Sequence, residues 1–172
     1  IKKYSNETLP SYAFENCTNL TNVTLAEGVT KINKGAFYNC SSLGATGFNI
    51  PNGVTTIDQK VFEGCSSITS INIPITVTTF NTKRAFYSCT SLTSITIPSI
   101  VTIIDNDAFY ECRGLTSVTI PNSVTSIGDR AFDGCSSLTS VTISTNVTKI
   151  GESAFSGCSS LTGITIPSKV NT

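Results

Sequence analysis

The sequence predicts a solenoid: a stack of right-handed coils, each contributing one parallel strand, with mostly β and coil content. Three observations carry this expectation. Residues 115–137 (LTSVTIPNSVTSIGDRAFDGCSS) and 138–160 (LTSVTISTNVTKIGESAFSGCSS) are identical at 16 of 23 positions. A fixed period of that length marks an architecture built by stacking one unit. Apolar residues keep step with the period: Phe14, Phe37, Phe62, Phe86, Phe109, Phe132 and Phe155 form one series, and Leu20, Leu43, Ile68, Leu92, Leu115, Leu138 and Leu161 another. The units also carry an alternating segment of the Val-x-Ile type, closed by Pro in four of the six full repeats, as in Val118–Pro121. β-branched residues in alternation favour a strand, and Pro ends it because it cannot donate to a ladder.

Taken in order, residues 1–19 are a degenerate partial repeat in which Leu9, Ala13, Phe14 and Cys17 hold the register. Six full repeats follow, at 20–42, 43–67, 68–91, 92–114, 115–137 and 138–160, and a last partial repeat opens at Leu161. The chain 1–172 thus reads as a single solenoid, expected to be a fragment of a longer array. Repeat 43–67 carries two extra residues, around Gly44–Phe48, and repeat 68–91 one, around Phe80–Arg84. Insertions in a stacked coil are expected in loops. Within repeat 115–137, Leu115, Val118 and Ile120 belong to the strand. Val124 and Ile127 should point inward from an extended or turn-like return. Ala131, Phe132 and Cys135 follow Asp129, a candidate N-cap, and their spacing suits a single helical or 3₁₀ turn. One coil cannot bury these eight side chains, so its neighbours must. Leu161, Ile164 and Ile166 are expected to form a last strand, and an apolar end of this kind predicts end-to-end self-association.

Composition narrows the function. Eleven basic and eleven acidic residues cancel, and charged residues make up 13% of the chain. This argues against a nucleic-acid partner, which needs a basic footprint. No apolar run reaches the length of a membrane helix, so membrane insertion is not expected. Cysteines fall once per repeat, at 17, 40, 65, 89, 112, 135 and 158, and there is no His. Zinc sites need close ligand pairs, so neither a metal nor a cofactor is expected. Stacked coils bring equivalent residues to about 4.8 Å, within bridging reach, but with parallel Cβ vectors and an odd count. A ladder of free buried thiols acting as small hydrophobes is the better reading. With no His, no paired catalytic carboxylates and no phosphate loop, the chain does not read as an enzyme; Asp105 and Asp107 share an exposed repeat position with Asp129 and Glu152.

The pattern Ala108-Phe109, Cys112, Leu115, Val118, Ile120-Pro121, Val124 and Ile127 resembles the BspA-like leucine-rich repeats, and the resemblance spans essentially the whole chain. Ala26 and Ser144 depart from it in place of Pro, Asn6 in place of Val, and Phe80 in place of Ile. The resemblance implies an α/β-type leucine-rich-repeat solenoid with its strands on the concave face and turns or short helical turns on the convex side. It also implies an extracellular or cell-surface, adhesion-type protein-binding module, with a host matrix or cell-surface protein as partner. The alternative is a structural spacer without a ligand of its own. The family defines structural residues only, so candidate sites come from this sequence.

Two surfaces stand out. Outward strand positions are Asn22, Thr24, Ser70, Asn72, Ser94, Thr96, Ser117, Thr119, Ser140, Thr142 and Thr165, all small and uncharged. They make either a solvated face or a flat hydroxyl surface for an extended partner. The position after the repeat Phe is Tyr38, Tyr87 or Tyr110 in three coils and Glu, Asp or Ser in the rest, so it should face solvent. Tyr87 and Tyr110 on adjacent coils should sit side by side, with Arg113 nearby and Lys83-Arg84 adding charge from the insertion. Tyr and Arg are the usual anchors of protein interfaces. Six sequons, at Asn6, Asn16, Asn19, Asn22, Asn39 and Asn146, occur in a chain where 50 of 172 residues are Ser or Thr, so chance matches are expected.

Overall fold

The computed structural model describes residues 7–45 and 48–171; Asn6 and part of the 44–48 insertion lie outside them. The chain is a parallel β-solenoid of about six turns, and among the described residues there is no helix. The strands are β1 (Thr8–Leu9), β2 (Lys31–Ile32), β3 (Thr56–Ile57), β4 (Ser70–Ile71), β5 (Thr79–Phe80), β6 (Ser94–Ile95), β7 (Ile103–Ile104), β8 (Ser117–Thr119), β9 (Ser126–Ile127), β10 (Ser140–Thr142) and β11 (Lys149–Ile150). All pairings are parallel, between equivalent positions of neighbouring coils. Partners are 23 residues apart where there is no insertion, as in Ser117↔Ser140. The pairings Lys31↔Thr56 and Ser70↔Ser94 absorb the extra residues, so register survives both insertions.

Three local expectations are corrected. The four repeats from 68 to 160 each supply two short strands, not one, while the repeats at 20–42 and 43–67 supply only the return strand: the Val-x-Ile segment pairs as β4–β6 and β8–β10, and the return segment around Ile127 pairs as β1–β2–β3–β5 and β7–β9–β11. Both stretches alternate a buried or half-buried β-branched or aromatic residue with a more exposed, mostly polar one (Ile103 is the apolar exception), and stacking offers each a partner. The turn after Asp129 is not helical, because two of its residues per coil are left-handed. Arg130 (φ 51°) and Gly134 (φ 76°) have counterparts in Lys60 and Gly64, Arg84 and Ser88, and Asp107 and Glu111. Alternate amides then point out of the coil. Arg130, Phe132 and Gly134 donate to the carbonyls of Glu152, Ala154 and Ser156 in the next coil at 2.8–2.9 Å. Asp133 and Cys135 donate within their own turn, to Arg130 and Phe132, at 3.2 Å. A left-handed non-glycine residue costs roughly 1–2 kcal/mol; here the inter-coil bonds it permits offset that strain. The expected strand over Leu161–Ile166 is also not formed; residues 161–170 hold no strand, only a turn at Ser168-Lys169.

The core is a set of one-residue ladders. Phe14 through Phe155 stack in register, with centroids 5.1–5.9 Å apart and interplanar angles of 0–10°. Separations that large between near-parallel rings mean offset stacking, which ring quadrupoles favour. Phe48, just after the two-residue insertion, sets its ring edge-on to both Phe37 and Phe62 at 5.3 and 5.7 Å.

The cysteine ladder runs beside the phenylalanines. All seven thiols are free; Cys40, Cys65, Cys89, Cys112 and Cys135 are buried, Cys158 half-buried and Cys17 exposed. Each ladder thiol donates to the carbonyl of the Phe in the preceding coil, as Cys112 Sγ does to Phe86 O at 3.1 Å and Cys135 Sγ to Phe109 O at 3.2 Å. Cysteine therefore supplies both a compact apolar volume and a weak donor. Burial raises these thiols: Cys40 and Cys158 are pushed up to about 11, Cys65, Cys112 and Cys135 higher still, and Cys89 well above the ordinary thiol value.

Threonine hydroxyls join coils at the surface. Thr93, Thr116 and Thr139 each donate to the carbonyl of the equivalent residue one coil back, at 3.0–3.2 Å. Asp129 is a cap of an unexpected kind: its Oδ1 accepts the amide of Glu152 in the next coil at 3.0 Å, as Asn106 Oδ1 accepts that of Asp129. The one-residue insertion breaks the return sheet between β5 and β7. Thr82 spans the gap from a 3% exposed position; its hydroxyl accepts the Asp105 amide and donates to the Asp105 carboxylate, both at 2.9 Å.

Candidate functional site

The residue after each ladder Phe, expected to face solvent, is at least partly exposed in most coils, whereas Glu63 is buried. Tyr87 and Tyr110 occupy that position on adjacent coils and stack face to face, centroids 4.6 Å apart and 16° from parallel. Their backbones are locked together by the inter-coil amide bonds from Phe86 to Ala108 and from Ser88 to Tyr110, at 2.9 and 2.7 Å. A guanidinium covers each end of the pair: Arg84 lies 4.1 Å from the Tyr87 centroid and Arg130 5.6 Å from that of Tyr110. Cation–π attraction favours this four-member stack.

Acidic residues hold the arginines from behind. Glu63, one coil back, pairs with Arg84 at 2.6 Å and with Lys60 at 3.8 Å, and Asp107 pairs with Arg130 at 3.0 Å. Glu63 is 3% exposed, and that burial raises its carboxyl above the ordinary range against the opposing pull of Arg84 and Lys60. The Tyr87 hydroxyl is raised as well, first by burial and then by Tyr110. Both arginines sit at left-handed turn positions, where the backbone turns their side chains back along the stack.

The residues singled out in the sequence fall at several places. Tyr87 and Tyr110 are in contact, as their register requires. Arg113 ion-pairs with Glu111 and is largely exposed; the guanidinium groups over the rings are those of Arg84 and Arg130. Arg130 escaped sequence reasoning; the available signal was its repeat register, which it shares with Arg84 two coils earlier. Lys83 is exposed, its amide held by Asn81 Oδ1 at 3.1 Å. Tyr38 lies away from this stack, edge-on to Tyr12 at 6.2 Å. The strand-face positions Ser94, Thr96, Ser117, Thr119, Ser140 and Thr142 are all exposed, in two matched rows. Among the described residues no group of three or more His, Cys, Asp or Glu is arranged to hold a metal ion. No helix there is long and apolar enough to cross a membrane.

Comparison with known proteins rests on this coil. The BspA type leucine rich repeat region matches residues 2–84 and 82–172, in six copies. This chain belongs to that family. Among solved structures it is similar to the T. pallidum leucine-rich repeat protein, with 30% identity and a TM-score of 0.80 over 94% of this chain and 74% of that one. A leucine-rich repeat protein of Bacteroides ovatus follows at 29% identity and TM-score 0.74, covering 94% of this chain and 43% of that one. One of Eubacterium ventriosum is 26% identical with TM-score 0.79, covering 96% and 44%. The chain thus spans less than half of the last two. No curated protein sequence matches it. Leucine-rich repeat proteins of this family are generally non-enzymatic and bind proteins.

Proposed function

We propose that this solenoid is a non-enzymatic, adhesion-type binding module of a secreted or surface-exposed protein. Its ligand is a protein, such as a host matrix or cell-surface protein, and its contact region is centred on Tyr87 and Tyr110. The observation that carries the reading is the four-member stack Arg84–Tyr87–Tyr110–Arg130. The repeat does not demand it: the same position holds Glu63, Asp133 or Ser156 elsewhere, and those coils stack equally well. Ring faces are occupied by one another and by the guanidinium groups, so a partner meets ring edges, hydroxyls and cationic rims. Ordered side chains of this kind lose little freedom on binding, and Tyr and Arg dominate measured interface energetics. Family membership supports the protein-binding role and the surface location. Lys83 and Arg113 flank the stack as exposed cations.

Capture from matrix and serum protein fractions on the immobilised chain tests this reading. A binding module retains a specific protein, and Tyr87→Ala with Tyr110→Ala releases it. A spacer retains nothing specifically, and that outcome would reject the proposal.

A further inference from the structure

The same two coils that carry the tyrosine stack depart from the repeat at their other corner. Where the strand segment turns at its Pro, other coils place Asn52, Asn122 or Thr145, then Gly53, Ser123 or Asn146. Here Ile75 and Ile100 stand instead; Ile75 is fully exposed and Ile100 nearly half exposed. Neither is needed for packing, since the buried positions of these coils are already filled by Ile73, Val77, Ile97 and Val101. Pro74, Ile75, Val77, Ile97, Pro98 and Ile100 wall a groove of about 460 Å³. That groove continues into a second along the strand face, beside Ser94, Ser117 and Thr119; the two share Thr96, Ile97 and Pro121.

The geometry points to a docking trough for an extended, uncharged segment of a partner protein carrying aliphatic side chains. Charge selects this occupant. No ionisable side chain lines either groove, so a Lys, Arg, Asp or Glu of the partner would be desolvated with no counter-charge. Exposed aliphatic residues gathered at one place on a soluble surface mark an interaction site rather than packing. Length follows from continuity: the trough crosses three coils, from Asn72 to Thr119. Alternate side chains of an extended segment point the same way. One aliphatic side chain between Ile75 and Ile100 therefore leaves its backbone beside the amide of Asn72 and the hydroxyls of Thr96 and Thr119, all exposed. This surface is distinct from the tyrosine stack and different in chemistry.

The test is methyl NMR on the whole chain with isotope-labelled isoleucine δ1 methyls. The probe is an acetylated, amidated peptide Thr-Asn-Leu-Thr-Leu-Asn-Thr, compared with the same peptide carrying Lys for both Leu. The neutral peptide should shift Ile75, Ile97 and Ile100 saturably, and the lysine peptide should bind at least tenfold more weakly. Ile75→Asn with Ile100→Ser should abolish the shift of the remaining reporter, Ile97, while leaving the melting temperature unchanged. Tyr87→Ala with Tyr110→Ala should leave them intact, which separates this inference from the function proposed above. Absent shifts, equal shifts from both peptides, or retention in the isoleucine double variant overturn the assignment. Shifts that follow protein concentration without peptide also overturn it, because the occupant is then a second copy.

Discussion

The cysteine ladder makes stability fall steeply in alkali. Five thiols, those of Cys40, Cys65, Cys89, Cys112 and Cys135, are 0% exposed, and burial lifts each above the ordinary thiol value of 9.0. A group raised in the folded state stabilises fully below its unfolded value, and that contribution is lost as pH rises toward the folded one. The window therefore opens near pH 9, where unfolded thiols ionise, and extends to pH 11 and beyond. At pH 10 each unfolded thiol gains between about 1 and 2 kcal/mol by ionising, so these five and the half-buried Cys158, raised as far as Cys40, together remove on the order of 8 kcal/mol. That rivals the whole stability of an ordinary domain, about 5–15 kcal/mol. Urea titrations followed by circular dichroism at pH 7, 8, 9 and 10, under reducing conditions, measure the loss. Cys112→Ser should shrink the pH 8 to pH 10 decrement by about one sixth, since one of the six raised thiols is gone. A stability flat between pH 8 and pH 10 would refute the buried ladder.

Other consequences follow from the same geometry. A thiol reagent at neutral pH should label Cys17 fast and Cys158 slowly, and reach the five buried thiols only on unfolding; rapid native labelling of most of them contradicts the ladder. Phe109→Ala removes a ring stacked on both Phe86 and Phe132 and should destabilise by about 3–5 kcal/mol in equilibrium denaturation; a loss below about 1 kcal/mol means the spine is not tightly packed. Thr82→Val strips a buried hydroxyl that accepts one amide and donates to one carboxylate. It should cost about 1–3 kcal/mol, whereas Thr116→Val, at the exposed hydroxyl ladder, should cost about 0.5 kcal/mol or less; equal costs would deny Thr82 its bridging role.

Most of the coil was legible from periodicity. Phe109, Cys112, Leu115, Val118, Val124 and Ile127 are all buried as their register requires, because a stacked architecture forces equivalent residues together. What periodicity hid was the backbone. The second strand of each coil is only two residues long, below the length at which alternation becomes a signal. The left-handed positions are held by Lys60, Arg84, Asp107, Arg130 and Ser153 as well as by Gly35, so no glycine pattern announces them. They are set by amides reaching to the next coil, a contact between residues 22 apart that no local propensity records. In the candidate site, the side-by-side tyrosines followed from register, but Arg84 and Arg130 over their faces depended on that hidden turn. The Ile75–Ile100 corner stood out only once exposure was known, since an isolated Ile reads as core in any strand-like stretch.

The central claim is that protein binding runs through the tyrosine stack, and one comparison tests it most directly. Two variants are measured against one ligand identified by capture: Tyr87→Ala with Tyr110→Ala, and Ser140→Lys with Thr142→Lys on the strand face, outside the trough. All four positions lie outside the core ladders, so both variants should fold. The stack predicts that the alanine pair weakens binding by at least about 2 kcal/mol, the mark of an interface hot spot, while the lysine pair binds nearly as the parent does. Loss of binding in the lysine variant with retention in the alanine variant would place the ligand on the strand face and contradict the claim.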